Sequence, residues 1–185
     1  MGLNDAISGR RAVRDFTPVA VAKSEIRSLI EAAIRAPSAV NQQPWRFTVV
    51  RDAKMLSRIS DEAKAYTLRK PPTGLASPHF QSLLDNPSFN IFYNAPVLIV
   101  ISAAAGPWAV EDCALAAENL MLSAHGAGLG TCWIGFAQAW LGTPEGKALL
   151  MLGETEIPVA PIIVGHPKSA LAAVPRNAAQ IRWLP

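Results

Sequence analysis

The hydrophobic and polar residues of this chain follow two periods, which predict helices and strands in turn. Residues 22–36 carry apolar side chains at helical spacing between charged ones, and residues 53–66 repeat that pattern, so both stretches are predicted to be amphipathic helices. By contrast, residues 96–102 and 157–165 are short continuous apolar runs rich in Val and Ile. Such runs are typical of strands buried on both faces of a sheet. Another strand is predicted over residues 46–50, where Phe, Thr and Val favour extended backbone.

The most apolar helix is predicted at residues 108–125. Its side chains are apolar almost all round, so we expect it in the middle of the structure or in a subunit interface. Glu118 lies inside it, and a buried carboxylate needs a partner, so Glu118 should pair with an arginine or face solvent at a rim. Shorter helices are predicted after Asn4 and after Thr143, which are helix-capping residue types.

One long segment, residues 67–90, has no clear period and contains four prolines. An irregular segment of that length in a compact domain is usually functional or mobile. We interpret it as a cover over a pocket or over a partner subunit, with a surface excursion as the alternative. Within it, His79 is the histidine that we keep as a candidate pocket residue.

Composition narrows the class of protein. With 185 residues and 50% hydrophobic content, the chain is expected to form one domain over 1–185 with a full apolar core. A net charge of +3 without a basic tract predicts no nucleic-acid partner. The longest apolar stretch is too short for a membrane span, and no signal-peptide pattern is present. Two cysteines make neither a disulfide framework nor a metal quartet, which favours a reduced, cytoplasmic setting and no metal.

The stretch 36–50, APSAVNQQPWRFTVV, lies between a predicted helix and a predicted strand and is too polar to be core. Pro37 ends the helix, and Pro44 fixes the approach to the strand. Hydroxyl and amide side chains lie between the two prolines, and Trp45 offers a flat apolar face. Such a loop suits a planar ring with heteroatoms at its edge, such as a flavin. An ordinary polar turn is the alternative.

Two other stretches have the composition of ligand-binding segments. RRAVRDF places Arg10, Arg11 and Arg14 close together, and planar guanidinium groups suit phosphate oxygens, although a solvated basic turn would have the same composition. Residues 126–136, GAGLGTCWIGF, are rich in glycine, which lets backbone approach a ligand closely. Their spacing is neither a dinucleotide fingerprint nor a P-loop. Cys132 has no acid–base partner in the sequence and is interpreted as a small buried residue rather than a nucleophile.

Four separated stretches, RRAVRDF, APSAVNQQPWRF, GLGTCWIGF and PIIVGHP, occur in the order seen in the nitroreductase family of FMN-dependent oxidoreductases. The chain resembles that family over nearly its whole length. The resemblance implies an α+β fold with a mixed central sheet flanked by helices, built as an intertwined homodimer with FMN at the interface. It further implies NADH or NADPH as electron donor and a small-molecule electron acceptor such as a nitroaromatic or a quinone.

The resemblance also implies which residues contact FMN. Basic residues near the start and in the tail would hold the phosphate, a polar loop would contact the ring from the other subunit, and a glycine-rich backbone segment would lie beside the reactive N5 edge. The expected contacts are Arg10, Arg11 and Arg176 at the phosphate, with Ala12 beside them and Arg14 for the phosphate or the ribityl chain; Pro37, Ser38, Ala39, Asn41 and Gln43 in the loop; and Thr131, Cys132, Trp133, Ile134 and Gly135 beside N5.

Two positions depart from the family pattern. Ala12 stands where the family often has serine, so a hydroxyl contact near the phosphate is absent. Ile134 stands where many members carry an acid, which makes the N5 edge more apolar. No residue is assigned to the pyrimidine edge of the flavin, for which Tyr66, Arg69 and Lys70 are the nearby options.

The implied mechanism is ping-pong: NAD(P)H passes a hydride to flavin N5 and leaves, and the acceptor then takes its place. No side chain need act as a nucleophile. The alternative is an FMN-binding protein of the same fold that stores or delivers flavin, or oxidises a specific metabolite, without general NAD(P)H reductase activity. An interaction module without a cofactor is disfavoured by the basic cluster and the polar loop.

Overall fold

The computed structural model of the chain describes residues 2–71, 78–170 and 172–185. Within these ranges, one or two helices lie between successive strands, and a short 3-10 turn at Ala39–Asn41 precedes the first strand. The elements in chain order are α1 (Leu3–Gly9), α2 (Lys23–Ala33), β1 (Trp45–Val50), α3 (Ala53–Arg69), α4 (Pro78–Asp85), β2 (Val97–Ala104), α5 (Ala109–Gly126), β3 (Gly130–Trp133), α6 (Gly135–Leu141), α7 (Pro144–Leu149) and β4 (Glu156–Gly165).

The four strands form one sheet in the order β1-β2-β4-β3. Each neighbouring pair is antiparallel, so the mixed sheet implied by the resemblance is wrong for these strands. A parallel contact does occur, but as an isolated bridge between Ala12 and Thr131. The segment after α1 runs along β3 with too few pairings to count as a strand, which explains the difference.

Helices cover both faces of the sheet. Along β2, Val97, Ile99 and Ile101 join the core cluster formed with α2 and α5. The alternate residues Leu98 and Val100 join the cluster formed with α3 and α6 on the other face. This division follows from the two-residue period of strand side chains. The predicted strand buried on both faces is therefore confirmed.

Helix α5 is buried on its inner face and exposed on its outer face. Trp108, Val110 and Leu115 are 55%, 53% and 46% exposed, so of the two predicted places, the middle of the structure does not hold for this face and a subunit interface stays a prediction. Glu118 is half exposed and lies 3.6 Å from Arg10, which confirms the expected arginine partner at a rim. None of the described helices is both long and apolar enough to cross a membrane.

Two stretches differ from the sequence predictions. The glycine-rich stretch contains β3 and the start of α6, a helix that the sequence reading missed. In the stretch predicted to be irregular, α3 continues to Arg69 and α4 occupies Pro78–Asp85. A short helix that begins at a proline carries too few apolar repeats to be read from the pattern. Residues 72–77 and the side chain of His79 lie outside the described part, so the predictions for them are not tested.

Candidate functional site

A cleft of about 530 Å³ opens at the C-terminal end of α5. Three parts of the chain form its walls: the end of α1 with the residues that follow it, the turn from α5 into β3, and the residues after β4. Arg10, Arg11, His125, Thr131 and Lys168 are among the residues that line it. We call this the basic cleft, because three of these side chains carry a permanent positive charge.

Backbone hydrogen bonds bring these separate parts of the chain together. The N–H of Val13 donates to the carbonyl of Thr131 at 2.9 Å, and the N–H of Lys168 donates to the carbonyl of Asp15 at 3.1 Å. Gly130 permits the close approach, because a Cβ there would lie 2.7 Å from the Val13 side chain. The walls of the basic cleft are therefore fixed by main-chain contacts within one chain.

The positive charges of the basic cleft are poorly compensated. Arg10 Nε lies 3.6 Å from Glu118 Oε1, and Lys168 Nζ lies 3.8 Å from Asp15 Oδ1. Both carboxylates are at least half exposed, and ion pairs of that kind contribute little to stability. The cleft therefore retains a net positive potential that favours an anionic ligand.

Arg11 gives the clearest sign that a ligand belongs here. Its Nη1 donates to the carbonyls of Ser8 and Arg10 at 2.6 and 2.8 Å. Its Nε is buried and has no hydrogen-bond partner among the described residues. An unpaired buried N–H costs free energy, and a phosphate oxygen is the acceptor that a guanidinium group matches best. The residues of the basic cleft thus fit the phosphate of a cofactor such as FMN.

The polar loop between α2 and β1, residues 36–44, has an uncommon backbone. Val40, Asn41 and Gln43 have φ angles of 44°, 56° and 49°. Positive φ is rare for residues other than glycine and is an outlier for a β-branched residue such as valine. Conformations of this kind cluster at ligand-binding and catalytic sites. The 36–44 loop is therefore more constrained than an ordinary polar turn.

Three hydrogen bonds hold this backbone in place. The N–H of Ala39 donates to Asp112 Oδ1 at 2.9 Å, and the N–H of Gln43 donates to Ser38 Oγ at 2.9 Å. The side-chain amide of Gln43 donates to Asn41 Oδ1 at 3.0 Å. Asp112 is 3% exposed, so its carboxylate ties the loop to the first turn of α5. The side chains of Asn41 and Gln43 remain exposed to a ligand.

The 36–44 loop and the basic cleft lie at opposite ends of α5. Asp112 is in the first turn of this helix and His125 is in the last. At about 1.5 Å per residue, these two positions are roughly 20 Å apart along the axis. Within the described part of one chain, the two predicted parts of the site therefore lie at different ends of this helix.

The segment predicted to lie beside N5 is partly enclosed by the core. Cys132 and Ile134 are 3% and 4% exposed, and Trp133 is half-buried. The N–H of Ile134 already donates to the carbonyl of Pro161 at 2.8 Å. Gly135 is exposed, and a Cβ built on it would meet nothing within 4 Å. Within this segment, Gly135 is the position where open space meets backbone.

Burial also determines the chemistry of Cys132. It raises the pKa of the Cys132 thiol, and the nearby guanidinium groups of Arg14 and Arg10 only partly offset it. The thiol is therefore protonated at neutral pH and is not an activated nucleophile. This agrees with the interpretation of Cys132 as a small buried residue.

Three predicted residues lie away from the basic cleft in this chain. The guanidinium of Arg14 lies 6.0 Å from the centroid of the Tyr93 ring, outside the cleft lining. Arg176 is in the exposed tail, and the basic residue after β4 that lines the cleft is Lys168. Trp45 is 8% exposed and packs in the core, so it offers no free face to a ring.

Sequence reasoning missed Asp112, His125 and Lys168 as candidate site residues. Asp112 and His125 lie in a helix whose apolar pattern directed attention to the core. The signal that was available is the presence of an acid and a histidine at the two ends of an otherwise apolar helix, since buried polar groups need partners. Lys168 follows the PIIVGHP stretch directly, and its nearness to the last strand was the usable signal.

Comparison with known proteins agrees with the fold and with the motifs. The model described as the nitroreductase family matches residues 7–166. A protein of Archaeoglobus fulgidus, provisionally named an NADH dehydrogenase/NAD(P)H nitroreductase, is 31% identical over 159 residues, which cover 86% of this chain and 82% of the relative. An iodotyrosine deiodinase of Thermotoga neapolitana is 27% identical over 191 residues, covering 98% of this chain and 97% of that protein. The crystal structure of a Bacteroides fragilis nitroreductase with bound FMN has a TM-score of 0.86 at 24% identity, covering 100% of this chain and 99% of that one.

The chain belongs to the nitroreductase family. The resemblance read from four short motifs is thereby confirmed, and so is the enzyme class, an NAD(P)H-dependent flavin oxidoreductase of that family. The likeness to the Bacteroides fragilis structure shows that the α+β fold is shared.

Proposed function

We propose that this chain binds FMN and uses NADH or NADPH to reduce a small acceptor, such as a nitroaromatic or a quinone, as a homodimer. The observation that carries the proposal is the basic cleft with its buried, unpartnered Arg11 Nε, in a chain of a flavoenzyme family. Bound FMN would supply the atom that accepts and donates hydride. The chain's own residues would bind and orient it.

The roles of these residues follow from charge and position. Arg10, Arg11 and Lys168 would hold the phosphate, because they are the cations that line the cleft. Arg176 remains a candidate from the tail. Exposed amide groups of the 36–44 loop would contact the edge of the ring, held in orientation by Asp112.

The surface of the chain supports a homodimer. It exposes 11140 Å², whereas a compact monomer of 19.7 kDa exposes about 8,600 Å². The tail is exposed throughout residues 172–185, and Trp183 and Leu184 are 86% and 81% exposed. The outer face of α5 adds the exposed apolar side chains of Val110 and Leu115, and exposed apolar surface of this kind is typical of interaction sites. Burial against a second copy removes it from water.

The separation between the basic cleft and the 36–44 loop supports a site that two protomers share. In one chain the 36–44 loop and the basic cleft are roughly 20 Å apart along α5. A second copy would bring its own loop to the cleft of the first. Each FMN would then be held at the phosphate by one protomer and at the ring by its partner.

Reduction of the bound flavin tests the proposed activity. Purified yellow holoprotein is mixed anaerobically with NADH or NADPH, and the flavin absorbance is followed. Bleaching within seconds is expected. A yellow protein that is not bleached would instead support an FMN-binding protein that stores or delivers flavin or acts on a specific metabolite. A colourless protein that cannot be reconstituted with FMN would overturn both.

The acceptor panel for the reduced enzyme should include more than nitroaromatics and quinones. The Thermotoga neapolitana relative is named an iodotyrosine deiodinase and aligns over nearly the whole of both chains. A halogenated phenol is therefore a useful member of the panel. Reoxidation by a nitroaromatic or a quinone at a rate well above that with the halogenated phenol is the result expected from the proposal.

A further inference from the structure

We infer that the imidazole of His125 is a further phosphate-binding group of the basic cleft, which donates a hydrogen bond to a phosphate monoester bound there. The inference rests on the proposed function, because the phosphate it concerns is that of FMN. It adds a residue that the family motifs in this sequence do not include.

The position of His125 makes it part of the cleft wall. It lies in the last turn of α5 and lines the same cleft as Arg10, Arg11 and Lys168. It is half-buried, and its side chain makes no hydrogen bond within the described part of the chain. A partly buried imidazole among cations, without a protein partner, has the donors that an anionic ligand needs.

Gly9 fixes where the imidazole lies. A Cβ at this position would be 2.6 Å from His125 Nε2, so the ring packs directly against the Gly9 backbone. Helices α1 and α5 pack together here, and Gly9 is the residue immediately before Arg10. The imidazole is therefore held beside the first cation of the cleft, and any side chain at Gly9 would displace it.

The cations around His125 come from two parts of the chain. Arg10 and Arg11 follow α1, and Lys168 follows β4. A phosphate held among these cations would be bordered by the imidazole, and an N–H of the ring is a donor that a phosphate oxygen can accept.

Two carboxylates are also nearby. Glu118 lies two turns before His125 on α5 and pairs with Arg10, and Asp15 pairs with Lys168. Their side chains are 50% and 62% exposed, so water screens them from the interior of the cleft. They reduce the positive potential without cancelling it, and they hold no hydrogen bond to the imidazole.

The test measures the dissociation constant of FMN from the full-length protein in the wild type and in His125→Leu, which removes the N–H donor of the ring. Riboflavin, which lacks the phosphate, is the matched ligand control. The variant should bind FMN about tenfold more weakly, the effect of one hydrogen bond to a charged group. For riboflavin, the ratio between variant and wild type should stay close to one.

A second variant moves the ring without removing it. Gly9→Ala places a methyl group against His125 Nε2 and should weaken FMN binding while leaving riboflavin binding close to that of the wild type. Gly126→Ala is the matched control, because a Cβ there meets nothing within 4 Å. It should bind FMN as the wild type does.

Equal FMN affinity in wild type, His125→Leu and Gly9→Ala would overturn the inference. If Arg10→Ala still weakened FMN binding in that case, the proposed function would stand without a role for His125. Failure of the wild type to bind FMN at any pH would overturn the proposed function as well.

Discussion

The basic cleft and the 36–44 loop are the two parts of the candidate site, and they are built in opposite ways. The cleft is walled by three parts of one chain that main-chain hydrogen bonds hold together, and its Arg11 Nε is buried. The loop is largely exposed and has left-handed backbone at three residues other than glycine. The cleft is thus lined by residues of one chain, whereas the side chains of the loop are mostly exposed.

This difference teaches how the two regions divide the work of binding. In the proposed function, charge and buried donors in the cleft would supply affinity for an anion. The loop would supply amide groups whose constrained backbone is held by hydrogen bonds to Asp112 and Ser38. We therefore expect changes in the cleft to alter affinity and changes in the loop to alter both orientation and dependence on the partner.

The largest effect is expected from removing the chain after Gly165. This truncation deletes Lys168 from the cleft and also removes the exposed apolar tail. It should abolish both FMN binding and the dimer, as measured by flavin content and analytical ultracentrifugation. Truncation after Ala170 is the informative control, because it keeps Lys168 and should lose the dimer. A wild-type chain that is a stable folded monomer at micromolar concentration would contradict the prediction.

The next effect in size concerns the cleft alone. Arg10→Ala should weaken FMN binding by about 1.5–3 kcal/mol, the range for hydrogen bonds to a charged group. Riboflavin binding should change little, because riboflavin has no phosphate. Isothermal titration of both ligands measures the difference.

Arg14→Ala is the matched control for that experiment. Its guanidinium lies over the Tyr93 ring and not in the cleft lining, so its loss should affect FMN affinity less than the loss of Arg10 does. An equal loss of affinity in the two variants would show that Arg14 reaches the phosphate or the ribityl chain.

A smaller effect is expected at the tether of the loop. Asp112→Ala removes the acceptor of the Ala39 N–H, and the loop should lose its constrained backbone. We expect FMN affinity to fall by about 1 kcal/mol, the typical value of one hydrogen bond, with a change in the visible flavin spectrum. Asp112→Asn keeps an acceptor oxygen and should restore both. If the two variants behaved alike, charge and not the hydrogen bond would be the property that matters.

The smallest effect on cofactor binding is expected at Glu156, a buried carboxylate that binds Arg46 in the strand after the loop. Glu156 is 5% exposed and accepts hydrogen bonds from Ser102 Oγ at 2.5 Å, from the Gly153 N–H at 3.1 Å and from Arg46 Nη1 at 3.0 Å. Burial acts to raise the pKa of this carboxyl, but the hydrogen bonds from Ser102, Gly153 and Arg46 outweigh it and lower the pKa. The charged form is therefore the stable one in the folded chain.

A lowered folded-state pKa fixes the sign of the pH dependence. The carboxylate contributes stability above its unfolded pKa, and this is lost as pH falls through the folded pKa. Ser102→Ala should reduce the free energy of unfolding by about 1–2 kcal/mol at pH 7, and the difference should shrink in acid. Urea unfolding at pH 7 and at an acidic pH measures this difference in the free energy of unfolding, with the exposed Ser57→Ala as control. FMN affinity should not change, and a large loss of flavin would show that this network reaches the site.

Local patterns predicted most of the fold, because a buried strand or an amphipathic helix leaves its period in the sequence. Helix α6 was missed because it begins at Gly135, inside a stretch whose glycines indicate a loop. Arg10 and Arg11 are neighbours in the sequence, so they were predicted together, and both line the basic cleft. His125 and Lys168 join the cleft only through tertiary contacts, and no local pattern encodes those. Arg14 was placed with the other arginines, but its side chain lies over Tyr93.

The most direct test of the central claim, that each site is shared between two protomers, uses a mixed dimer. One chain carries Arg10→Ala and the other carries Asp112→Ala, with different affinity tags so that the heterodimer can be isolated. If the cleft of one protomer meets the loop of its partner, one site carries both changes and the other carries neither. The account therefore predicts one FMN bound with wild-type affinity per heterodimer. If no site of wild-type affinity is recovered, the cleft and the loop act within the same chain, and the claim is contradicted.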